Sequence, residues 1–123
     1  MEKRYTIVPE TYYRITVGEK ATLYSQYEEL DDEFAKVMKD GKWGILNPNG
    51  TVWGKIEFTR IHDGFNDGFI RVEKDGKYGY ADKETGRFID CVFDYAEDFC
   101  NGVANVRYNG EERIINFVGK FVD

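Results

Sequence analysis

The feature that most constrains this chain is an internal repeat. The sequence Asp-Gly-Lys-Trp-Gly at residues 40–44 recurs as Asp-Gly-Lys-Tyr-Gly at residues 75–79, thirty-five residues later. Asn109 and Gly110 open a third copy, in which Glu112 and Arg113 stand where the pattern has an aromatic residue and glycine. Repeats of this period are typical of arrays in which each unit buries its apolar face against a neighbour. The chain is therefore expected to fold as a tandem array.

The Asp-Gly and Asn-Gly pairs predict a β-hairpin in each copy. A two-residue type I′ turn needs positive φ at both central residues, which Asn, Asp and Gly tolerate. A second turn in each copy ends in Gly50, Gly86 or Gly119, and a third extended segment follows it. The repeat unit is thus a three-stranded antiparallel meander, covering residues 34–39, 42–47 and 51–58 in the first full copy.

Aligning the copies on their turns brings apolar residues into shared positions, which we expect to form the core. These columns are Leu30, Phe65 and Phe99; Phe34, Phe69 and Val103; and Val37, Val72 and Val106.

The predicted architecture is an all-β repeat domain spanning residues 1–123, with three units at 24–68, 69–102 and 103–123. Residues 12–17 and 20–24 form a further hairpin, so residues 1–23 are interpreted as an N-terminal cap or a degenerate unit. The best candidate for a short helix is residues 25–32.

The motif resembles the WG repeat family of β-rich repeats in bacterial proteins. The match extends over residues 34–123, and Phe-x-x-Gly at residues 65–68 and 99–102 fits the family's connector. The resemblance implies an antiparallel β array that mediates interactions, and it brings no catalytic residues. The residues assigned to the structural motif are Gly41, Trp43, Gly44, Gly76, Tyr78, Gly79 and Gly110. Hairpin turns in an ordinary β-sandwich are the alternative source of the pattern.

The aromatic-glycine pair suits packing: the ring covers one face of the sheet, and glycine lets a neighbouring strand approach. Exposure of Trp43, Trp53 and Tyr78 on one face would instead favour a platform for carbohydrate or peptide.

Catalytic and metal chemistry find little support in the residues present. His62 and the adjacent Asp63 could form a base, but Ser25 is the only serine and no triad spacing is found. Cys91 and Cys100 have apolar neighbours and are interpreted as buried free thiols. One histidine and two cysteines do not make a common zinc site. We therefore predict no enzyme activity, no metal and no cofactor.

The acidic charge indicates the kind of partner. The net charge is −6, which disfavours nucleic acid and anionic lipid and favours a protein with a basic surface. Residues 1–23 carry +1, with four basic and three acidic side chains, so residues 24–123 carry −7. No apolar run approaches the roughly 20 residues of a membrane span. A cytoplasmic location is expected.

Acidic residues concentrate in the segments between the meanders, and Glu28, Asp63 and Glu97 fall at one repeat position when counted back from the valine column. The predicted partner-binding residues are Glu28, Glu29, Asp31, Asp32, Asp63, Asp67, Asp94, Glu97 and Asp98. A solvated face that keeps the array soluble is the alternative, and a calcium site lacks the required spacing.

The predicted function is a non-catalytic protein-binding module. Its charge and size suit an acidic inhibitor or immunity-type protein that occludes a basic site of a nuclease-like partner. The alternatives are a general scaffold repeat and a carbohydrate- or peptidoglycan-binding repeat that uses aromatic platforms.

Overall fold

The structure is a computed structural model that describes residues 3–123. These residues form fourteen β-strands and no helix. In chain order the strands are β1 Thr6–Pro9, β2 Tyr13–Val17, β3 Lys20–Tyr24, β4 Gln26–Glu29, β5 Ala35–Lys39, β6 Lys42–Leu46, β7 Val52–Phe58, β8 Arg60–Ile61, β9 Phe69–Lys74, β10 Lys77–Asp82, β11 Phe88–Phe93, β12 Tyr95–Ala96, β13 Val103–Tyr108 and β14 Glu111–Asn116. All strand pairs are antiparallel, and the predicted all-β fold is confirmed. Over residues 3–123, no helix has the length and hydropathy to cross a membrane.

The chain divides into two compact units, one ending at Phe58 and one spanning Thr59–Asp123. The first unit holds two sheets, with strand orders β1-β2-β3 and β4-β5-β6-β7. The hairpin β2–β3 is the one predicted near the N-terminus, and β1 extends it to three strands. One buried cluster of this unit comprises Ile15, Tyr24, Ala35, Val37 and Leu46.

The second unit also holds two sheets, with strand orders β11-β10-β9-β8 and β12-β13-β14. One buried cluster of this unit comprises Phe69, Tyr80, Phe93, Ala96, Phe99, Ala104, Val106 and Ile115. The ring of Phe99 stacks on Phe69, with centroids 4.2 Å apart, and meets Tyr80 edge-on at 4.7 Å. Aromatic packing between the β9–β10 hairpin and the segment that joins β12 to β13 therefore stabilises this unit.

The three repeated hairpins turn through residue pairs with positive φ. The values are 53° and 79° at Asp40 and Gly41, 53° and 77° at Asp75 and Gly76, and 50° and 81° at Asn109 and Gly110. Two successive residues in this region form a type I′ turn, whose twist matches that of the flanking strands.

The glycine of the aromatic-glycine pair lies where the strand register shifts. The β6–β7 pairing shifts between Trp43 and Ile45, and the β10–β11 pairing shifts between Tyr78 and Tyr80. Gly44 and Gly79 occupy these two shifts and are buried. The partner strand has residues 54–57 opposite Gly44 and residues 90–92 opposite Gly79. The partner strand therefore bulges at this point and comes close to the glycine, so the position requires a residue without a side chain.

Each copy has a short strand before the hairpin that the predicted meander lacks, and the sheets of the first two copies therefore have four strands. The short strands β4, β8 and β12 precede the hairpins and pair with β5, β9 and β13. The expectation of helix over residues 25–32 is wrong, because residues 26–29 form β4 on the open edge of β5. That edge supplies backbone hydrogen-bonding partners that a turn or two of helix would leave unused.

The third copy ends differently from the prediction. Its third strand is reduced to a single bridge between Ile115 and Phe121. Val103 is 40% exposed, so it does not belong to the core. Side chains alternate along β13, and the buried residues Ala104 and Val106 share the face opposite to Val103. Leu30 and Phe65 are half-buried, and the remaining six members of the apolar columns are buried.

Candidate binding site

The strand register changes one of the predicted repeat positions. Tyr27, Ile61 and Ala96 lie opposite the three column valines. The next position in each copy therefore holds Glu28, His62 and Glu97, not Glu28, Asp63 and Glu97. The reason is the loop after β8, where the connection from His62 to Arg71 is one residue longer than that from Glu97 to Asn105 and contains Gly64, with a φ of 87°.

Three of the predicted carboxylates are paired with cations of the same unit. Glu28 lies 3.2 Å from Nζ of Lys36, whose side chain is only 10% exposed. Glu29 lies 2.9 Å from Nζ of Lys3. Asp98 lies 2.9 Å from Nε of Arg71 on the preceding copy. The Glu28–Lys36 pair links β4 and β5, and all three carboxylates remain accessible to solvent.

Three others accept hydrogen bonds from backbone N–H groups. Asp31 Oδ1 accepts from Glu33 and Phe34, at 2.8 and 2.7 Å, and closes the loop before β5. Asp67 Oδ2 accepts from the backbone of Gly102 at 3.2 Å. Asp94 pairs with Lys77 and accepts from the backbone N–H of Gly110 at 3.2 Å. The Lys77 ammonium and this N–H hold the pKa of Asp94 below its usual value.

The remaining three, Asp32, Asp63 and Glu97, are exposed. Glu97 accepts a hydrogen bond of 3.4 Å from the Asn105 side chain. Glu97 and Asp98 follow β12 directly, and we call this pair the β12 carboxylates. They are consecutive and exposed just after the short edge strand β12, which makes them accessible to a partner.

The second unit contains a cleft of about 490 Å³. It lies between the turn of residues 83–86 and the turn of residues 116–119, which are the second turns of successive copies. The lining residues are Asp67, Phe69, Asp82, Glu84, Thr85, Arg87, Phe88, Ile89, Phe117 and Val118. The repeat therefore creates this cleft by placing two equivalent turns side by side.

The turn of residues 116–119 presents two apolar side chains to solvent. Phe117 is 62% exposed and Val118 is 51% exposed. The Asn116 side chain accepts hydrogen bonds from the backbone of Val118 at 3.1 Å and of Lys120 at 3.0 Å, and Gly119 N–H donates to the Asn116 carbonyl at 2.9 Å. The backbone of the turn is thus fixed while its apolar side chains face water.

Sequence reasoning missed this cleft, although the sequence carries a signal for it. The corresponding positions in the other copies are Pro48 and Asn49, and Glu84 and Thr85. An apolar pair stands at a turn position that is otherwise mostly polar. Three acidic residues, Asp67, Asp82 and Glu84, surround the cleft, against one cation, Arg87.

The candidate platform aromatics are engaged by side chains of their own units. Trp43 lies under the ammonium of Lys36, 4.8 Å from the ring centroid. Trp53 packs against Phe34 with centroids 4.7 Å apart. Tyr78 meets Tyr95 edge-on at 5.3 Å. All three platform residues are half-buried, as expected for rings that pack into the sheets.

His62 is half-buried and bonded to a carboxylate. Its Nε2 lies 2.6 Å from Oε2 of Glu73. Burial lowers the pKa of His62 below its usual value, the charges of Arg71 and Arg60 act in the same direction, and the bond to Glu73 opposes them. The neutral imidazole is therefore favoured, and it serves as a hydrogen-bonding bridge between β8 and β9.

Cys91 and Cys100 form no disulfide within residues 3–123, and their environments differ. Cys91 is half-buried and Cys100 is exposed, so the expectation of two buried thiols is wrong for Cys100. Cys100 follows the buried Phe99, and alternation along the chain directs its side chain to solvent. Residues 3–123 hold no cluster of three or more His, Cys, Asp or Glu side chains suited to a metal ion.

Comparison with known proteins gives one result. The family model described as WG containing repeat matches residues 43–78 and residues 78–111. Comparisons with curated proteins and with solved structures gave no match. The two matches begin at Trp43 and at Tyr78, the aromatic residues of the repeated motif, and together they span more than half of the chain. The chain belongs to the WG containing repeat family.

Proposed function

We propose that this chain is a non-catalytic protein-binding module whose partner presents a basic surface. In the more specific form of the proposal, it is an inhibitor or immunity-type protein that covers a basic site of a nuclease-like enzyme. The observation that carries the proposal is the excess of accessible carboxylates in the second unit.

The charge distribution supports this choice of partner. Residues 59–123 contain nine Lys and Arg against thirteen Asp and Glu, a net charge of −4 within 65 residues. The β12 carboxylates and Asp63 are exposed within this unit. A surface of one sign accelerates encounter with a partner of the opposite sign and disfavours partners of like charge.

The internal ion pairs do not remove the carboxylates from use. The Asp98 side chain is 48% exposed although it contacts Arg71. The Arg71 side chain is only 21% exposed, so it stays in place beneath Asp98. A Lys or Arg of a partner can therefore approach Asp98 from the solvent side without displacing the internal cation.

The contacts of His62 support a non-catalytic role. The imidazole is bonded to Glu73 and faces the ring of Tyr78 at 5.8 Å. A neutral, bridging imidazole of this kind is a structural element of the β8–β9 pair.

The test is affinity capture from the native cell extract with three immobilised proteins: wild type, Glu97→Gln/Asp98→Asn and Glu10→Gln/Glu19→Gln. Both variants lose two negative charges, but only the first alters the second unit. Amides keep the size and hydrogen-bond acceptors of the β12 carboxylates, so folding should be retained.

The proposal predicts a basic protein recovered by the wild type and the N-terminal variant and depleted with the β12 variant. The same differences should be reproduced by the purified partner. Equal recovery on all three proteins, or recovery of acidic partners alone, would contradict the proposal. If the purified partner is a nuclease, loss of its activity on addition of the wild type tests the inhibitor form.

A further inference from the structure

We infer that the cleft between residues 83–86 and residues 116–119 receives an apolar side chain flanked by Lys or Arg from a polypeptide segment of the partner. This inference rests on the proposed function and identifies where the basic partner is anchored.

The apolar part of the site is preorganised. Phe117 and Val118 are exposed on a turn that Asn116 fixes through two backbone hydrogen bonds. Phe69 and Ile89 also line the cleft, and Phe69 is only 7% exposed. Exposed aromatic residues on a fixed backbone lose little entropy on binding, which is the character of an interface anchor.

The size of the cleft suits one side chain and its backbone. Its volume of about 490 Å³ is within the range of small-molecule sites, about 300–1,000 Å³. A single Phe or Leu inserted between the turns would contact apolar atoms on both sides. The neighbouring residues of the segment would then lie at the rim.

The carboxylates at the rim of the cleft favour a segment with basic side chains. Asp82 accepts hydrogen bonds from the backbone of Glu84 at 3.0 Å and from the Thr85 hydroxyl at 2.9 Å, so its carboxylate is held in place at the turn. Glu84 and Asp67 are exposed on the same cleft, and Arg87 is the one cation lining it. Cations beside the apolar anchor would therefore meet an excess of carboxylates, and acidic segments would be repelled.

The same reasoning favours a different protein over a second copy of this chain. Each molecule of the chain has a net charge of −6, so association of two molecules through an acidic cleft brings like charges together. A basic segment is attracted to the acidic cleft, whereas a second molecule of this chain is repelled by it.

The test uses peptides of defined sequence and isotope-labelled full-length chain. The probe is acetylated and amidated Lys-Lys-Phe-Lys-Lys, and the controls are Lys-Lys-Ser-Lys-Lys and Glu-Glu-Phe-Glu-Glu. Backbone amide shifts report where each peptide binds. We expect the first peptide to shift Thr85, Ile89, Phe117 and Val118, with at least roughly tenfold weaker binding of both controls.

Two variants test whether the peptide binds to the cleft or to any exposed apolar side chains. Phe117→Ser/Val118→Ser should weaken the first peptide roughly tenfold or more. Val8→Ser/Leu23→Ser changes two exposed apolar residues of the first unit, which are 41% and 49% exposed, and should leave binding unchanged. The dispersed amide spectrum of each variant verifies its folding.

The remaining outcomes have distinct meanings. If amide shifts are confined to residues around Glu97 and Asp98 and are equal for the Phe and Ser peptides, the cleft is not the binding site. The proposed function would still be supported. No binding of either basic peptide, together with capture that does not depend on the β12 carboxylates, would overturn both. If the amide shifts of Phe117 and Val118 change with protein concentration in the absence of peptide, the cleft binds a second molecule of this chain. That result would overturn the proposal of a basic partner segment.

Discussion

A Cβ atom at Gly79 would lie 2.4 Å from the carbonyl oxygen of Ile89 on the neighbouring strand. It would also lie 2.9 Å from backbone atoms of Asp90 and Cys91. Because backbone of a paired strand cannot move aside alone, Gly79→Ala should lower the free energy of unfolding by about 3 kcal/mol, the upper part of the usual range for overpacking. Urea unfolding followed by circular dichroism measures the loss.

Gly44→Ala is the matched comparison at the same repeat position. There the nearest atom to an added Cβ is Cγ1 of Ile56, at 2.8 Å, which belongs to a side chain. We expect a smaller loss, about 1 kcal/mol, because a side chain can rotate away. The prediction is contradicted if the two variants lose equal stability, or if Gly79→Ala loses less than about 0.5 kcal/mol. Either result would show that the close approach of the neighbouring strand is not the reason for glycine at position 79.

Local signals made much of this fold predictable. The type I′ turns depend on residue pairs such as Asp75-Gly76 alone, so a short stretch of sequence is enough to identify each hairpin. The strands β8 and β12 contain only two residues each and have no periodicity to detect. They form because a partner edge is present, which is a tertiary effect. The extra residue after His62 likewise shifts the register without altering any motif.

The aromatic core of the second unit gives a second prediction. Phe99 is 2% exposed and stacks on Phe69, so Phe99→Ala should cost about 3–5 kcal/mol. Val103, in the adjacent apolar column, is 40% exposed, and Val103→Ala should cost less than about 0.5 kcal/mol. Thermal unfolding of the two variants tests this contrast. Similar losses would mean that Val103 packs more closely than its exposure indicates.

The pH dependence of stability should contain a contribution from His62. Burial lowers its pKa below 6.5, so the unfolded chain binds a proton more readily than the folded chain. The free energy of unfolding therefore decreases as the pH falls from about 6.5 toward the pKa of the folded state. The contribution of His62 is fully present above this range. Unfolding midpoints between pH 5 and pH 8 should show the decrease.

His62→Gln is the control, since an amide can still donate to Glu73 but does not titrate in this range. Its stability should depend less on pH between 5 and 7 than that of the wild type. His62 is the only histidine of the chain, so its imidazole signals can be titrated directly by NMR. A measured pKa at or above 6.5 in the folded protein would contradict the prediction.

The candidate site was only partly predictable, for a physical reason. Composition and spacing identified acidic residues such as Glu97 and Asp98, but not that Asp98 would contact Arg71 or that Asp31 would close a loop. The cleft depends on two turns about thirty residues apart in sequence and on the apolar pair at residues 117–118. Contacts between repeat copies form only when the copies pack against each other, so the sequence of a single copy does not predict them.

The last prediction concerns the rate at which a basic partner associates. Glu97→Gln/Asp98→Asn removes two exposed charges while retaining a hydrogen-bond acceptor for Asn105 and an oxygen atom beside Arg71. Neutralisation is preferable to Lys, which would place a cation against Arg71. Long-range attraction acts mainly on encounter, so the association rate at low salt should fall roughly three- to tenfold and depend less on salt, whereas dissociation should change little.

Stopped-flow mixing with the captured partner, at low and high salt, measures both rates. Glu10→Gln/Glu19→Gln has the same net charge and should have a smaller effect, because its changes lie in the N-terminal sheet. The three proteins should converge at high salt, where screening reduces the contribution of exposed charges. If the β12 variant associates at the wild-type rate with the same salt dependence, the β12 carboxylates keep the chain in solution and the anchoring contacts lie elsewhere on the surface.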